Sequence, residues 1–379
     1  MLLSLSLLIF FGFLGNVLFK KLNLPGLLGM LLVGVLLGPY GFDLLDESLL
    51  QISGDLRMIA LVIILLRAGF GLNRVALKKI GKTAIWLGFL PALIEGFTIL
   101  VLAMLLLDFS FAQAGVLGFI IAAVSPAVVV PSMLRLIDLK LGFKKKIPQL
   151  VLGAASLDDV IVITLFSTFI GVYFGTQSSL ILSILSIPLA VLLGVLLGLF
   201  VGVVLYYIFN RFSVRDSQKV LLILAAALFM VNLERFLEDT IMIAALLGVM
   251  VVGLVITELK PKLGTRLSIK LNKVWVFAEV LLFVLVGAEV DVNLALEAGL
   301  IGLVLIGAGL VFRALGVFIA TTKSYVNHKE RLFIALAYTP KATVQAAIGS
   351  VPLAMGVDQG ELILAIAVLS IVVTAPLGA

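Results

Sequence analysis

Apolar stretches long enough to cross a bilayer follow one another along the whole chain, separated only by short polar loops. A spanning helix needs about 20 such residues. We count thirteen stretches, at 2–19, 24–40, 55–72, 83–107, 112–136, 147–174, 179–210, 218–233, 240–257, 272–290, 297–321, 331–355 and 361–378. The expected fold class is therefore an all-α polytopic membrane protein with about 13 transmembrane helices. Composition agrees: 63% of residues are apolar and 13% charged, whereas soluble domains carry roughly 25% charge. A soluble enzyme or a nucleic-acid binder is excluded, and the expected surroundings are a lipid bilayer. The 35 glycines suit membrane helices. There is no cysteine and one histidine, so neither thiol chemistry nor a His-rich metal site is available. The first stretch has no basic leader and no small-residue cleavage site, and is read as a membrane helix instead of a signal peptide.

Loop charge orients the chain. With alternating crossings, 22 of the 27 basic residues fall on one side, from Lys20 and Lys21 to Lys329 and Arg331. The other side has only Arg57 and Arg235, beside acidic residues including Asp43, Asp46, Glu47, Glu238, Asp239, Asp291 and Glu361. Basic loops stay in the cytoplasm. The N-terminus is then expected outside, the C-terminus inside, and the location is a plasma (inner) membrane.

Charges inside spans are costly and mark function. Those within the stretches are Arg67, Glu95, Asp158, Asp159, Glu279, Glu289, Arg313 and Lys341, with Lys82, Glu279 and Glu289 near span ends. The foremost is the pair Asp158–Asp159, in AASLDDVIVITLF. Adjacent helical residues point about 100° apart, so one partner cannot shield both. Two close carboxylates repel when both are ionised, and burial opposes ionisation, so the pair titrates as one coupled unit. Such a site can hold a proton near neutral pH and exchange it for a small hard cation, which prefers oxygen ligands.

Two stretches carry prolines at mid-span: AAVSPAVVVPS with Pro126 and Pro131, and AYTPKATVQAA with Pro340 beside Lys341. Proline removes a backbone donor and kinks or breaks a helix. Ser125-Pro126-Ala127 and Thr339-Pro340-Lys341 occupy corresponding places in spans four to six and eleven to thirteen, as do Glu95 and Arg313. Seven spans separate the two sets, so their topologies are inverted. Inverted repeats with interrupted helices point to a secondary transporter's binding site. Lys341 is placed to offset carbonyl ends of the broken helices. Arg313 pairs with Glu95 or with Asp158; the sequence leaves both open. Ser125, Ser156 and Thr339 are candidate supporting hydroxyls. An intramembrane aspartyl protease would need its two Asp on different helices, so the chain is not read as an enzyme. A buried titratable pair would obstruct a passive channel.

The segments ILLRAGFGL, ALKK, AVSPAVVVPSMLRL, AASLDDVIVIT, LVGAEV and PKATVQAAIGSVPL occur in order across nearly the whole chain. In these the chain resembles the monovalent cation/proton antiporter superfamily, specifically its NHA branch of sodium/proton exchangers. The resemblance implies an NhaA-like fold with two crossed discontinuous helices, a homodimer, and no cofactor beyond the transported Na⁺ or Li⁺ and H⁺. It implies a dimerisation scaffold from 1–72 and 218–290, an ion-translocating core from 83–174 and 297–379, and a linker helix at 179–210. It further implies that Asp159 binds the cation and carries the proton, that Asp158 assists, that Glu95 and Arg313 pair, that Lys341 supports the broken helices, and that transport is elevator-like. A K⁺/H⁺ antiporter or a sodium-coupled symporter is the alternative on the same fold. Electrogenic relatives have Lys where this chain has Arg313. Arginine keeps its proton, which counts against a two-proton stoichiometry.

Overall fold

The computed structural model describes the chain outside residues 23–25, 72–73, 143, 176–179, 213, 238–240, 242, 290–298, 350 and 379. At helical positions 74–80, 127, 180–187, 343, 346–347, 354, 375–376 and 378 it describes the backbone only. Glu238, Asp239 and Asp291 of the expected outer loops lie outside the described residues, as do Leu72, Val290 and Ser350 of the family-like segments. The side chains of Arg74, Lys78 and Lys79 are outside as well.

All described elements are helices, and no strand occurs among the described residues. In chain order they are α1 Leu2–Lys21, α2 Gly26–Leu37, α3 Glu47–Gln51, α4 Ser53–Gly71, α5 Arg74–Leu106, α6 Phe111–Ala122, α7 Pro126–Asp138, α8 Ile147–Tyr173 and α9 Leu180–Arg211. There follow α10 Asp216–Leu237, α11 Ala245–Leu259, α12 Pro261–Ala288, α13 Gly299–Ala320, α14 His328–Ala337, α15 Thr343–Ile348, α16 Val351–Ala354 and α17 Gly360–Gly378. Among the described residues, seven helices are long and apolar enough to cross a membrane. Four shorter apolar helices, of 10–17 residues, accompany them. Leu105, Phe200, Phe229 and Val311 are exposed on these helices, an apolar surface that only a bilayer or a partner covers.

Two of the apolar stretches are interrupted. In 112–136 the chain leaves the helix over residues 123–125 and re-enters it at Pro126. Proline's fixed φ and missing donor suit a first helical position, so the break lies before Pro126, and Pro131 sits within α7 without ending it. In 331–355 residues 338–342 are non-helical. Pro91 and Pro188 also lie inside helices, in α5 and α9. Helix α12 starts well before its apolar stretch, because LGTRLSIKLNK has helix formers and polar residues that continue the helix into solvent.

The helices pack in two sets. Helix α13 lies along α5, which also packs on α6 and α8; α6 packs on α8. In the other set α1 packs on α2, α2 and α4 on α12, and α11 on α4 and α9. Helices α7 and α8 meet the second set through α4, α9 and α11. Close approach in the second set depends on glycine, as in membrane helix pairs generally. A Cβ on Gly287 of α12 would overlap the Leu31 carbonyl oxygen of α2, and one on Gly34 would overlap the Val284 carbonyl. Gly287→Val is therefore expected to destabilise the protein by about 1–3 kcal/mol through overpacking, read as a lower melting temperature in detergent. An unchanged melting temperature would show that α2 and α12 yield freely.

Candidate ion site

The site is assembled where the two interruptions meet. With residues 123–125 and 338–342 outside any helix, their amides and carbonyls need other partners inside the bilayer. The Ser125 amide donates to the Pro340 carbonyl at 2.8 Å, tying one break to the other. The Lys341 amide donates to Thr374 Oγ1 of α17 at 2.8 Å. Gln345 Nε2 donates to both Ile120 O and Ala123 O, each at 2.9 Å, closing the carbonyl end of α6. The Val124 amide donates to Asp158 Oδ2 at 3.0 Å. The backbone of the first break is thus held by one of the paired aspartates.

Four charged side chains form one buried network. Arg313 Nη1 donates to Glu95 Oε2 at 2.6 Å and to Ala122 O at 2.5 Å, and Nη2 donates to Asp158 Oδ1 at 2.6 Å. Lys341 Nζ reaches the same Glu95 Oε2 at 2.8 Å. All four side chains are at most 1% exposed. The two partners open to Arg313 are not alternatives, since the guanidinium fork holds both carboxylates at once. The carbonyl end of α6 is met by Arg313 and Gln345, while the Lys341 ammonium faces Glu95. The Tyr338 ring covers the guanidinium at 5.1 Å, a cation–π contact.

Two carboxylates and two cations balance within this network, and Asp159 is the carboxylate left over. It is 7% exposed. Among the described residues it has no ion pair, and its Oδ1 has no hydrogen-bond partner. A buried carboxylate without a counterion is strongly disfavoured while charged. It is relieved by a proton or by a bound cation.

The other candidate hydroxyls are placed differently. Ser125 is fully buried at the break and stands at the N-cap position of α7. Ser156 Oγ contacts Met250 Sδ of α11 at 2.7 Å, and Thr339 Oγ1 donates to Leu336 O at 2.8 Å. Sequence reasoning missed Gln345, Tyr338 and Thr374. A glutamine inside an apolar span was a usable signal for the first. Tyr338 and Thr374 blend into the apolar pattern. Near span ends, Glu289 accepts from Ser53 Oγ at 2.8 Å and from Arg57 Nη2 at 2.6 Å.

Known proteins resemble this chain in sequence and in fold. A family model described as "Sodium/hydrogen exchanger, transmembrane" matches residues 6–379. Sodium/hydrogen exchanger 9B2 of Homo sapiens is 34% identical over 376 residues, covering 94% of this chain and 68% of the relative. The same exchanger of Bison bison bison is 38% identical over 371 residues, with coverage of 94% and 68%. Among solved structures, the sodium proton antiporter MjNhaP1 from Methanocaldococcus jannaschii at pH 8 matches with a TM-score of 0.79 at 20% identity, over 98% of this chain and 93% of that one. This last likeness is one of fold. The chain is a multi-pass membrane protein and belongs to the sodium/hydrogen exchanger family.

Proposed function

We propose that this protein is a secondary antiporter exchanging Na⁺ or Li⁺ for H⁺ across a plasma (inner) membrane, with Asp159 as the shared carrier. The surplus carboxylate carries this reading. Glu95 and Asp158 have cations in contact; Asp159 has none among the described residues. Asp159 takes a proton or a dehydrated cation in turn, and Asp158 holds the broken backbone beside it. Arg313 stays protonated, so the reading has one exchangeable proton.

The wider reading has thirteen crossings, two crossed interrupted helices, an outer N-terminus and a cytoplasmic C-terminus. Residues 83–174 and 297–379 form a core that slides against a scaffold of 1–72 and 218–290, with 179–210 as linker, in a homodimer. The separate packing of the two helix sets supports this division. With alternating crossings, 22 of the 27 basic residues fall to one side in the sequence, which supports the orientation.

Asp159→Asn is expected to abolish cation-driven proton movement in proteoliposomes for Na⁺, Li⁺ and K⁺ alike, while eluting from a sizing column as the parent protein does. Full exchange by this variant overturns the assignment. Because one proton and one cation compete for one carboxylate, the half-saturating Na⁺ concentration should rise about tenfold for each pH unit of acidification on the acid limb; a flat dependence excludes competition. Arg313→Gln leaves two buried carboxylates with one cation and should cost about 3–5 kcal/mol. That loss is read as a melting temperature well below that of Asp159→Asn, and equal melting temperatures would remove Arg313 from the centre of the network.

A further inference from the structure

Gln345 has a property that its helix-closing role leaves unused. Its Nε2 donates to two carbonyls of the α6 end, Ile120 O and Ala123 O. A flipped amide would press its oxygen against both carbonyls, so the orientation is fixed by its partners. The amide oxygen is consequently the free end, and Oε1 is buried with no partner among the described residues. The side chain is 1% exposed. A buried acceptor without a protein donor can be completed by a water or an ion.

Gln345 is among the residues that line a pocket of about 240 Å³, room for several waters. It is lined by Tyr40 beyond α2, Leu50 of α3 and Glu289 beyond α12, and also by Gln345 of α15 with Leu364 and Val368 of α17, two helices that pack on α6 of the first set. The pocket therefore lies in the seam between the two sets. It stands beside Glu289, which ends α12 and pairs with Arg57 near the start of α4, so it is at the opposite end of α12 from the basic residues Lys262 and Arg266. From Gln345 the path to the aspartates is short: the amide holds Ala123 O, and the next residue's amide holds Asp158 Oδ2.

We propose that this pocket is the outer access chamber for the transported alkali cation, and that Gln345 Oε1 is the ligand that holds the partly dehydrated ion one step before Asp159. The assignment rests on the antiport reading and on its orientation. A fixed carbonyl oxygen replaces part of a hydration shell, as backbone carbonyls do in selective filters. Glu289 adds a carboxylate to the same wall, held in place by Arg57 and Ser53. Gln345 is on this reading a residue that touches the ion on its way and shapes the outer half-saturation, without exchanging the proton.

The chain has no cysteine, so one introduced thiol is uniquely addressable. Leu364→Cys in proteoliposomes of known orientation should react with a membrane-impermeant methanethiosulfonate from the outer face and not from the inner face. Na⁺ or Li⁺ should slow the reaction, and choline should not. Gln345→Met should raise the outer half-saturating Na⁺ concentration roughly tenfold, the loss of one charge-assisted contact, and shift the inner value by less. A purely structural glutamine would shift both faces together. Should Gln345→Met fail to fold, the labelling of Leu364→Cys decides. Asp159→Asn is measured in parallel. If it still exchanges ions, the antiport site itself is misassigned. If it is inactive while Leu364→Cys labels only from inside, or without protection by Na⁺, the chamber assignment falls and the site stands.

Discussion

A guanidinium in the middle of an apolar bundle is tolerable only when its donors and its charge are both met. Arg313 meets these demands through Glu95 of α5, Asp158 of α8 and the Ala122 carbonyl that ends α6. One side chain of α13 thereby binds three other elements of its helix set. It also creates a further demand. Two carboxylates against one guanidinium leave a negative charge, and Lys341 supplies the second cation through Glu95. Lys341 can reach Glu95 because residues 338–342 are not helical. The break in this span and the charge balance of the network are one arrangement.

The same economy of partners explains why the two interruptions need each other. A helix broken in a bilayer frees amides and carbonyls that water cannot reach. Here each break satisfies part of the other, through Ser125 to Pro340 and Gln345 to Ile120 and Ala123. The remaining Val124 amide goes to Asp158. The backbone of the break is thus one hydrogen bond from Asp158, the neighbour of Asp159.

Much of this was legible in the sequence, for particular reasons. Apolar length revealed the helices because a bilayer imposes it. Asp158, Asp159, Glu95, Arg313 and Lys341 stood out because a charge in an apolar run is too costly to persist without a role. The pairing of Arg313 was not legible, because spacing along a chain does not tell which of two carboxylates a guanidinium faces, nor that it faces both. The break before Pro126 was readable from proline chemistry, but Pro131 misled, since neighbouring helices in a membrane can absorb a missing donor. Ser156 and Thr339 are candidate supporting hydroxyls from their places in the sequence, which do not tell what each hydroxyl touches. Their contacts with Met250 and with Leu336 are matters of rotamer and neighbour, which no pattern encodes. Gln345 was overlooked because a neutral amide carries no charge signal.

The adjacency of the two aspartates has a consequence for coupling. Neighbours on a helix face about 100° apart, so Arg313 can compensate one and not the other. Asp158 points into its own helix set, where it meets Arg313. Asp159 lies three residues after Ser156, on nearly the same face of α8, and Ser156 touches Met250 of α11 in the other set. The uncompensated carboxylate therefore belongs to the side of α8 that borders the seam. On the antiport reading, sliding the core with Asp159 ionised would drag a bare charge along the apolar surface of α11, which burial penalises heavily. A proton or a bound cation removes that penalty equally well. On that reading the empty, ionised carrier would be the one form held back, which is what exchange of one ion for the other requires.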